Sequence, residues 1–593
     1  MNYLIKIQDR EYKKIILQNE NTNLELSIED FKNFNKIKFF HDDIINYDKT
    51  TKIINRVFAT KMNNIKIIGI LEINKKMIYG LNSRKNPYFL FTPLLKCYPK
   101  FYVCINDKKL KNTNGKFYIT IKFNIWTKKI PFGVLNKFIG KVGEKENEIE
   151  KLLNYYEIDT KKYKLHKKFK VSQKNNIHDY IDNNELKDYL DMRNQHTISI
   201  DPKGSKDIDD ALSIEYLPNN EYKVGIHISD VSFWYNKFDL KYFLRNNRFS
   251  TVYLKDKKFN LYPNILSDFL MSLIKGKDRL SLSLFIIFND DSEIKEYYFK
   301  NTILNVNRNF CYRKVDNILK DKNLYEKNKD LFELFNISKK LKINKNIVDF
   351  DSHNMIENFM ILSNQITAEY LIENDKKPIL RYHKSPNYKI PLEKIENNEL
   401  RNFMKIFQLK AAEYKIYEKT DEFNYYHYGL DLKYYTHYTS PIRRFTDLII
   451  HFKIKEVLYG EETKIEYNIK ELNKVNKNLR KMDREMRQLE ILDNIGSDRI
   501  FESHLIDYKD NILFFYIPEI KYFFRKKIYD NDDMLINIDF IYNNEEICIK
   551  NIKNQKSIIL EKYFSYKISI NKISNMNEYN YSLIDKNFLE ILN

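Results

Sequence analysis

The sequence predicts a multidomain α+β protein, with small β-barrels at the N-terminus, a large central α+β body and a further small β-barrel at the C-terminus. Three observations carry this. At 593 residues the chain is too long for one hydrophobic core, and length alone suggests about three to five domains. Short runs of alternating apolar and polar residues, separated by polar turns, fill both ends. Long apolar patterns with helical spacing are confined to the middle.

The first part, to about Lys170, reads mostly as β-structure after an opening polar segment. NNIKIIGILEINKKMIYGL alternates around a short polar turn, and GKFYITIKFNIWT alternates again from Phe117 to Trp126. Short strands with polar turns are the pattern of small barrels. A helix is expected in GEKENEIEKLLNYYEI, and the basic, polar KKYKLHKKFKVSQKNN reads as a linker. The central part, about Tyr180 to Asp493, mixes both periods. Ala211 to Tyr216 and Tyr222 to Ile228 read as a hairpin joined by LPNNE. In MIENFMILSNQITAEYLIE, the residues Ile356, Met360, Ile361, Ile366 and Leu371 fall near helical spacing. Leu472, Val475, Leu479, Met482, Met486, Leu489 and Leu492 recur in steps of three and four. From about Phe501 onward, DNILFFYIPEIKYFF, DMLINIDFIY and EEICIKNIK return to short strands separated by DNDD and NNEE.

Lysine and arginine number 101 against 81 aspartates and glutamates, a net charge of 101 − 81 = +20. That sign favours a polyanionic partner, whether RNA, DNA or an anionic membrane. The 45 Tyr and 40 Phe offer stacking faces for unpaired bases, although a chain with only 12 Gly and 12 Pro and abundant Asn, Lys and Ile also fits an A/T-biased coding sequence. Four cysteines, Cys97, Cys104, Cys311 and Cys548, form no C-x-x-C pair. This argues against a zinc site or a disulfide framework and for a reducing, intracellular compartment, the cytoplasm being the first expectation. The opening MNYLIKIQDREYKK has no long apolar run, so no signal peptide is expected. No stretch approaches the roughly 20 apolar residues of a membrane span.

Against this basic background, DPKGSKDIDD places Asp201, Asp207, Asp209 and Asp210 in ten consecutive residues beside an apolar strand. On an extended chain Asp207 and Asp209 point to the same side. Asp210 faces away unless the backbone turns. Pro202 and Gly204 can turn the chain and bring Asp201 back beside the others. Carboxylates held that close repel each other unless they are protonated or neutralised by a cation. With no nearby His or Cys, an all-oxygen donor set suits Mg²⁺ or Mn²⁺ and not zinc. The same pattern also describes an acidic turn capping a hairpin.

In YTHYTSPIRRFTDLIIHF, Ser440 and Pro441 read as N-cap and first residue of a helix, which puts Arg443 and Arg444 in its first turn. Two arginines at a helix N-terminus form a plausible phosphate clamp; the alternative is pairing with Asp447 or solvent. Glu485 falls on the apolar face of its helix, where a carboxylate needs a partner: Arg443 or, at the surface, Lys481.

These segments together resemble the RNase II-type, or RNB-domain, exoribonucleases. SIDPKGSKDIDDALSI followed by YKVGIHISDVSFWY is similar to the family's acidic signature, and STVYLKDKKFNLYPNILSDFLMSLIKGKDRLSLS, IENFMILSNQITAEYL, ILRYHKSP and HYGLDLKYYTHYTSPIRRFTDLIIH follow in the family's order. PFGVLNKFIGKVGEKENEIEKLL and DNILFFYIPEIKYFF resemble flanking segments of the eukaryotic exosome-type members. The resemblance implies two cold-shock-like OB domains at 1–82 and 83–170, an RNB catalytic domain at 180–495 and a C-terminal OB domain at 496–593. It implies a processive hydrolytic 3′→5′ exoribonuclease that releases nucleoside 5′-monophosphates from single-stranded RNA. Asp201, Asp207, Asp209 and Asp210 would hold Mg²⁺, with Mn²⁺ as a substitute. Asp207 and Asp209 would serve catalysis, and Arg443 the developing phosphoryl charge. Tyr253 would clamp the terminal nucleotide, with Arg381, His383 and Arg444 also on the RNA. Glu485 is the candidate for a family glutamate, one position off.

The usual M-L-P-acidic stretch of the family reads LYPN at Leu261 to Asn264. No PIN endonuclease domain precedes the barrels, which argues against stable exosome association; a monomer is expected. Some family members are RNA-binding pseudo-nucleases that have lost the acidic residues. The four aspartates and Arg443 argue for an active enzyme.

Overall fold

The chain divides into two units, one formed by Met1–Ile158 with Arg480–Asn593 and the other by Asp159–Leu479. The computed structural model describes all residues except 20–21, 59, 107–112, 162, 164–175, 242–247, 342, 344–348, 388–389, 421–422, 461, 463–464, 496–498, 510, 529–537, 543–545, 552–555, 573–578 and 584–593. Most of the expected linker, KKYKLHKKFKVSQKNN, lies outside the described residues.

In the first unit, β1 (Asn2–Ile7), β2 (Ile15–Gln18), β3 (Asn23–Leu26), β4 (Ile44–Asp48) and β5 (Ile53–Val57) form an antiparallel sheet in the order β3-β2-β1-β4-β5. Alternate residues of β1, namely Tyr3, Ile5 and Ile7, pack with Leu17, Phe39, Ile45 and Ile54. This is the signature of a sheet with one buried and one wet face. The next five strands, β6 (Lys66–Ile73), β7 (Tyr88–Pro93), β8 (Phe101–Cys104), β9 (Gly115–Ile125) and β10 (Phe132–Lys141), close into a barrel in the order β10-β8-β7-β6-β9. Its interior holds Ile67, Leu71, Phe89, Phe91, Phe101, Ile119 and Ile121. Because β6 pairs inside this barrel, the barrel begins well before residue 83, where the sequence reading started it. Helix α1 (Lys145–Tyr155) follows.

The second unit is built on a seven-stranded mixed sheet of β11 (Leu190–Asp191), β12 (Thr197–Asp201), β13 (Asp210–Leu217), β14 (Glu221–Ser229), β17 (Asp278–Phe288), β18 (Ile294–Asn305) and β19 (Arg308–Cys311), in the order β11-β18-β17-β14-β13-β12-β19. Between β14 and β17 lie helix α2 (Val231–Lys237) and a small hairpin of β15 (Val252–Tyr253) and β16 (Lys258–Phe259). Central β17, DRLSLSLFIIF, is buried along nearly its whole length, so its serines need partners inside the protein. Ser283 Oγ bonds Thr302 Oγ1 at 2.6 Å and His227 Nδ1 at 2.8 Å.

Six helices follow: α3 (Tyr312–Lys320), α4 (Lys329–Lys340), α5 (Ser352–Glu373), α6 (Asn398–Phe407), α7 (Phe445–Tyr459) and α8 (Ile469–Asn494), the last running on into the first unit. A short pair, β20 (Ile379–Tyr382) and β21 (Glu413–Ile416), separates α5 from α7. Helices α5 and α7 are buried on most sides and carry buried polar residues such as Asn364, Thr367, Asp447 and His451; Phe359, Leu362, Leu448 and Ile449 share the core with Leu282, Phe299 and Trp234. At the N-terminus of α2, Asp230 caps Phe233 N and forms a buried ion pair with Lys455 of α7 at 2.6 Å.

The C-terminal part of the first unit has a five-stranded sheet, β24-β23-β22-β28-β29, of β22 (Arg499–Lys509), β23 (Ile512–Ile517), β24 (Tyr522–Lys527), β28 (Ser565–Lys572) and β29 (Tyr579–Leu583). A three-stranded sheet of β25 (Ile538–Tyr542), β26 (Glu546–Asn551) and β27 (Ser557–Glu561) shares its core through Leu513, Phe515, Ile547, Ile549, Leu560 and Ile568. The expected C-terminal barrel is therefore seen as two sheets around one core, and several of their connections fall outside the described residues. None of the four cysteines is joined in a disulfide. Among the described residues no helix is long and apolar enough to cross a membrane.

Candidate active site

Asp201 is the last residue of β12 and Asp210 the first of β13. These strands are antiparallel neighbours, with Thr197 opposite Ser213 and Ile198 opposite Leu212. The loop between them, 202–209, must double back. Ser205 N donates to Pro202 O at 3.1 Å. Gly204 takes φ +88° with nothing within 4 Å of where a Cβ would stand. Ile208 pins the loop: it packs with Ala211, Leu273 and Val306, and its N–H donates to Ser272 Oγ at 2.9 Å.

Asp209 is 2% exposed. Its Oδ1 accepts Ile442 N–H at 2.8 Å, and its Oδ2 faces Arg443 Nε at 3.3 Å with no hydrogen bond. Asp201 Oδ2 is also buried without a hydrogen-bond partner. Burial pushes the Asp209 carboxyl up to about 8; Asp207 and Asp210 add to the rise, and Arg443 and Ile442 N–H oppose it. Burial likewise pushes Asp201 and Asp210 up to about 7 each, with mutual repulsion adding. Asp210 is thus electrostatically part of the cluster, because the chain turns before it enters β13.

Arg443 is placed by a zipper between two distant segments. Thr251 N and Ser250 Oγ both donate to Arg443 O, at 2.9 and 3.0 Å, and Phe249 stacks on Phe445 at 5.6 Å. The guanidinium donates to Ser440 Oγ at 3.1 Å, and the Arg443 side chain as a whole remains 48% exposed. The same zipper sets Tyr253 beside the loop, where its hydroxyl donates to Asp207 Oδ2 and its ring stays 47% exposed. Burial and the neighbouring Asp207 raise the Tyr253 phenol well above its usual range, so it remains a donor.

The other expected residues are placed differently. Helix α7 begins at Phe445, not Pro441, so Arg443 precedes the helix and Arg444 is its N-cap. Ser440 N–H donates to Asp447 in the first turn, tying the preceding segment back over the helix end. Arg444 does not join Arg443 in a clamp; its Nη2 donates to buried Asp447 at 2.7 Å, the pairing left open by the sequence. Glu485 lies in the first unit, where its carboxylate accepts the Tyr156 hydroxyl; Tyr156, not Arg443 or Lys481, is the partner the fold gives it. Arg381 lies 5.2 Å from the Tyr414 ring centroid. His383 is buried, accepts Gly429 N–H at 3.2 Å and meets His427 edge-on at 5.1 Å, so as placed it packs against protein.

Two participants were not singled out from the sequence. Lys258 Nζ sits 2.8 Å from both Asp207 Oδ1 and Asp268 Oδ1. Tyr312, at the start of α3, has its phenol raised by burial and by Asp210 and Asp201. The basic KDKK run beside Tyr253 was the available signal for Lys258; nothing local marked Tyr312.

Among the described residues no group of three His, Cys, Asp or Glu side chains is arranged so that it could hold a metal ion as placed. The donor chemistry nevertheless fits a hard divalent cation. Two buried carboxylate oxygens lack hydrogen bonds, and three carboxyls are held at raised values by burial, as groups awaiting positive charge are. The orphaned oxygens belong to Asp201 and Asp209, and Asp210 shares the raised value. Asp207 has both oxygens taken.

A mixed sheet carrying an acidic loop, with an arginine delivered to it just ahead of a buried helix, matches the RNB domain over residues 189–460, and residues 88–157 match the Dis3-like cold-shock domain 2. Residues 189–460, a little under half of the chain, therefore carry the likeness to the RNB domain. Ribonuclease R of Aquifex aeolicus is 25% identical over 514 residues, covering 76% of this chain and 71% of that protein. The exosome complex exonuclease RRP44 of Mus musculus is 26% identical over 480 residues, 69% of this chain and 49% of that protein, so the chain spans about half its length. Mycoplasma genitalium RNase R, solved with ribose-methylated single-stranded RNA, superposes with a TM-score of 0.73 at 16% identity over 98% of this chain and all of that one. Yeast Ssd1, a pseudonuclease, superposes at 0.64 with 15% identity, covering 95% of this chain and 81% of its own. These two likenesses concern the fold.

Proposed function

We propose that this chain is a hydrolytic exoribonuclease that removes nucleotides processively from the 3′ end of single-stranded RNA, releasing nucleoside 5′-monophosphates. The fold does not decide between this and an RNA-binding pseudo-nuclease, since Ssd1 shares it. The observation that carries the reading is the set of under-compensated buried carboxylates beside a half-exposed arginine. A binding module gains nothing from that arrangement, which costs stability.

In this reading Asp201, Asp209 and Asp210 hold Mg²⁺ or Mn²⁺. Held there, such a cation would supply positive charge to the carboxylates and Lewis-acid character to a phosphoryl oxygen. Arg443, anchored through its backbone carbonyl and Ser440, offers its free guanidinium edge to the charge that grows on the scissile phosphate. The Tyr253 ring gives the terminal nucleotide a stacking face, and its hydroxyl is fixed on Asp207 Oδ2 so that the ring does not swing away. Ile442 N–H holds Asp209 Oδ1, which leaves Oδ2, lacking a hydrogen bond, as the oxygen turned toward the cation and Arg443.

The test is single-turnover cleavage of a 3′-terminally labelled RNA beside Arg443→Ala. The wild type should release labelled mononucleotide first; the variant should bind RNA and release it far more slowly. Equal rates would remove Arg443 from the chemistry. A DNA oligomer degraded as fast as RNA would overturn the choice of substrate.

A further inference from the structure

Resting on that reading and deepening it, we propose that Lys258 is a positioning residue that takes Asp207 out of the cation-holding set and turns it into the anchor of Tyr253. The four aspartates are not equivalent. Asp201 and Asp209 each keep a buried oxygen without a hydrogen bond. Asp207 keeps none, because Oδ1 accepts Lys258 Nζ at 2.8 Å and Oδ2 accepts the Tyr253 hydroxyl.

Lys258 is itself held on both sides. Its ammonium bridges Asp207 to Asp268 Oδ1, also at 2.8 Å, and its side chain is only 21% exposed. Asp268 is fixed in turn by Asn260 Nδ2 at 2.8 Å and Ser267 Oγ at 3.1 Å. Lys258 opens β16, the strand paired with Tyr253, with the two residues in register. The hairpin therefore delivers the stacking ring and the lysine to the same carboxylate. An ammonium at that distance supplies the positive charge that a second cation would otherwise bring, and a cation arriving at Asp207 would have to displace it.

Lys258→Met removes the charge at nearly constant length, and Lys258→Arg restores it. Purified full-length chain is titrated with Mn²⁺ in the absence of RNA, free Mn²⁺ being read by its paramagnetic resonance. Lys258→Met should bind roughly one additional Mn²⁺ per chain, and Lys258→Arg should return to the wild-type number. On labelled RNA with saturating Mg²⁺, Lys258→Met should raise KM about five- to tenfold with a smaller change in kcat, because Tyr253 loses its anchor. If Lys258→Met does not fold, Lys258→Gln, which also removes the charge facing Asp207, should move Mn²⁺ binding and KM the same way. An unchanged Mn²⁺ number in a folded Lys258→Met chain, or a failure of arginine to restore it, would overturn the proposal. Should the wild type cut no RNA, the enzymatic reading fails, while the Mn²⁺ number still decides the role of Lys258.

Discussion

Removing the charge of Asp209 should make the cation-free protein more stable while removing its activity. The carboxyl is 2% exposed and sits at about 8, against an ordinary value of 3.8. Its folded value exceeds its unfolded one, so the native state binds the extra proton. Stability is then lost as pH rises from about 4 to about 8 and is level above that. At pH 7.5 the full difference is a ceiling of ~5 kcal/mol. Asp209→Asn keeps an acceptor for Ile442 N–H but gives up the Arg443 pair, and local relaxation absorbs much of the rest. A net gain of about 1–3 kcal/mol is expected, or roughly 2–9 °C in the transition of the unit that contains it. The assay is differential scanning calorimetry in EDTA at pH 5 and pH 8, repeated with excess Mg²⁺. The variant should melt higher at pH 8, the gap should narrow at pH 5, and Mg²⁺ should narrow it again by stabilising the wild type. A variant that melts at or below the wild type at pH 8 without cation would refute the idea that the carboxylate is held uncompensated.

Three further outcomes follow from the geometry. Arg443→Lys, which keeps the charge but not the fork held by Ser440, should lose about 10²- to 10³-fold in single-turnover rate with RNA affinity changed only a few-fold, as separate rapid-quench and anisotropy measurements would show. Tyr253→Ala should weaken binding of the RNA 3′ end by about 1–3 kcal/mol, and Tyr253→Phe, which keeps the ring but loses the Asp207 anchor, should weaken it about five- to tenfold in the same titration. Lys455→Met leaves Asp230 charged and buried at the start of α2; urea unfolding should show a loss of about 3–5 kcal/mol, and Lys455→Met with Asp230→Asn should recover part of it.

The β, α+β, β order was legible because strand and helix periods differ and the two kinds of segment are separated along the chain. The barrel boundary was not. Lys66–Ile73 alternates as any strand does, and only its pairing with β7 and β9 assigns it to the second barrel. The acidic loop was legible from residue type and from the turn-forming Pro202 and Gly204. What each carboxylate bonds was not, because the partners come from Tyr253, Lys258 and Ile442, up to 233 residues away. The start of α7 was misplaced for a local reason. Ser-Pro is a good helix opening, yet here Ser440 O accepts the N–H groups of both Arg443 and Arg444 in a tight turn, and the helix waits for Phe445. A carboxylate on an apolar helix face needs a partner, and for Glu485 the sequence offers Arg443 or, at the surface, Lys481. A tyrosine 329 residues earlier in the chain meets that need, which no local pattern announces.

The most direct measurement of the central claim is the product of a 5′-labelled single-stranded RNA incubated with the full chain in Mg²⁺, beside Asp209→Asn. Wild type should convert full-length RNA to a short residual 5′ oligomer without long intermediates, with the other product co-migrating with nucleoside 5′-monophosphates, while Asp209→Asn should bind the RNA and leave it whole. RNA left intact by the wild type in both Mg²⁺ and Mn²⁺, with binding preserved, would contradict it and make the chain an RNA-binding protein built on a nuclease fold.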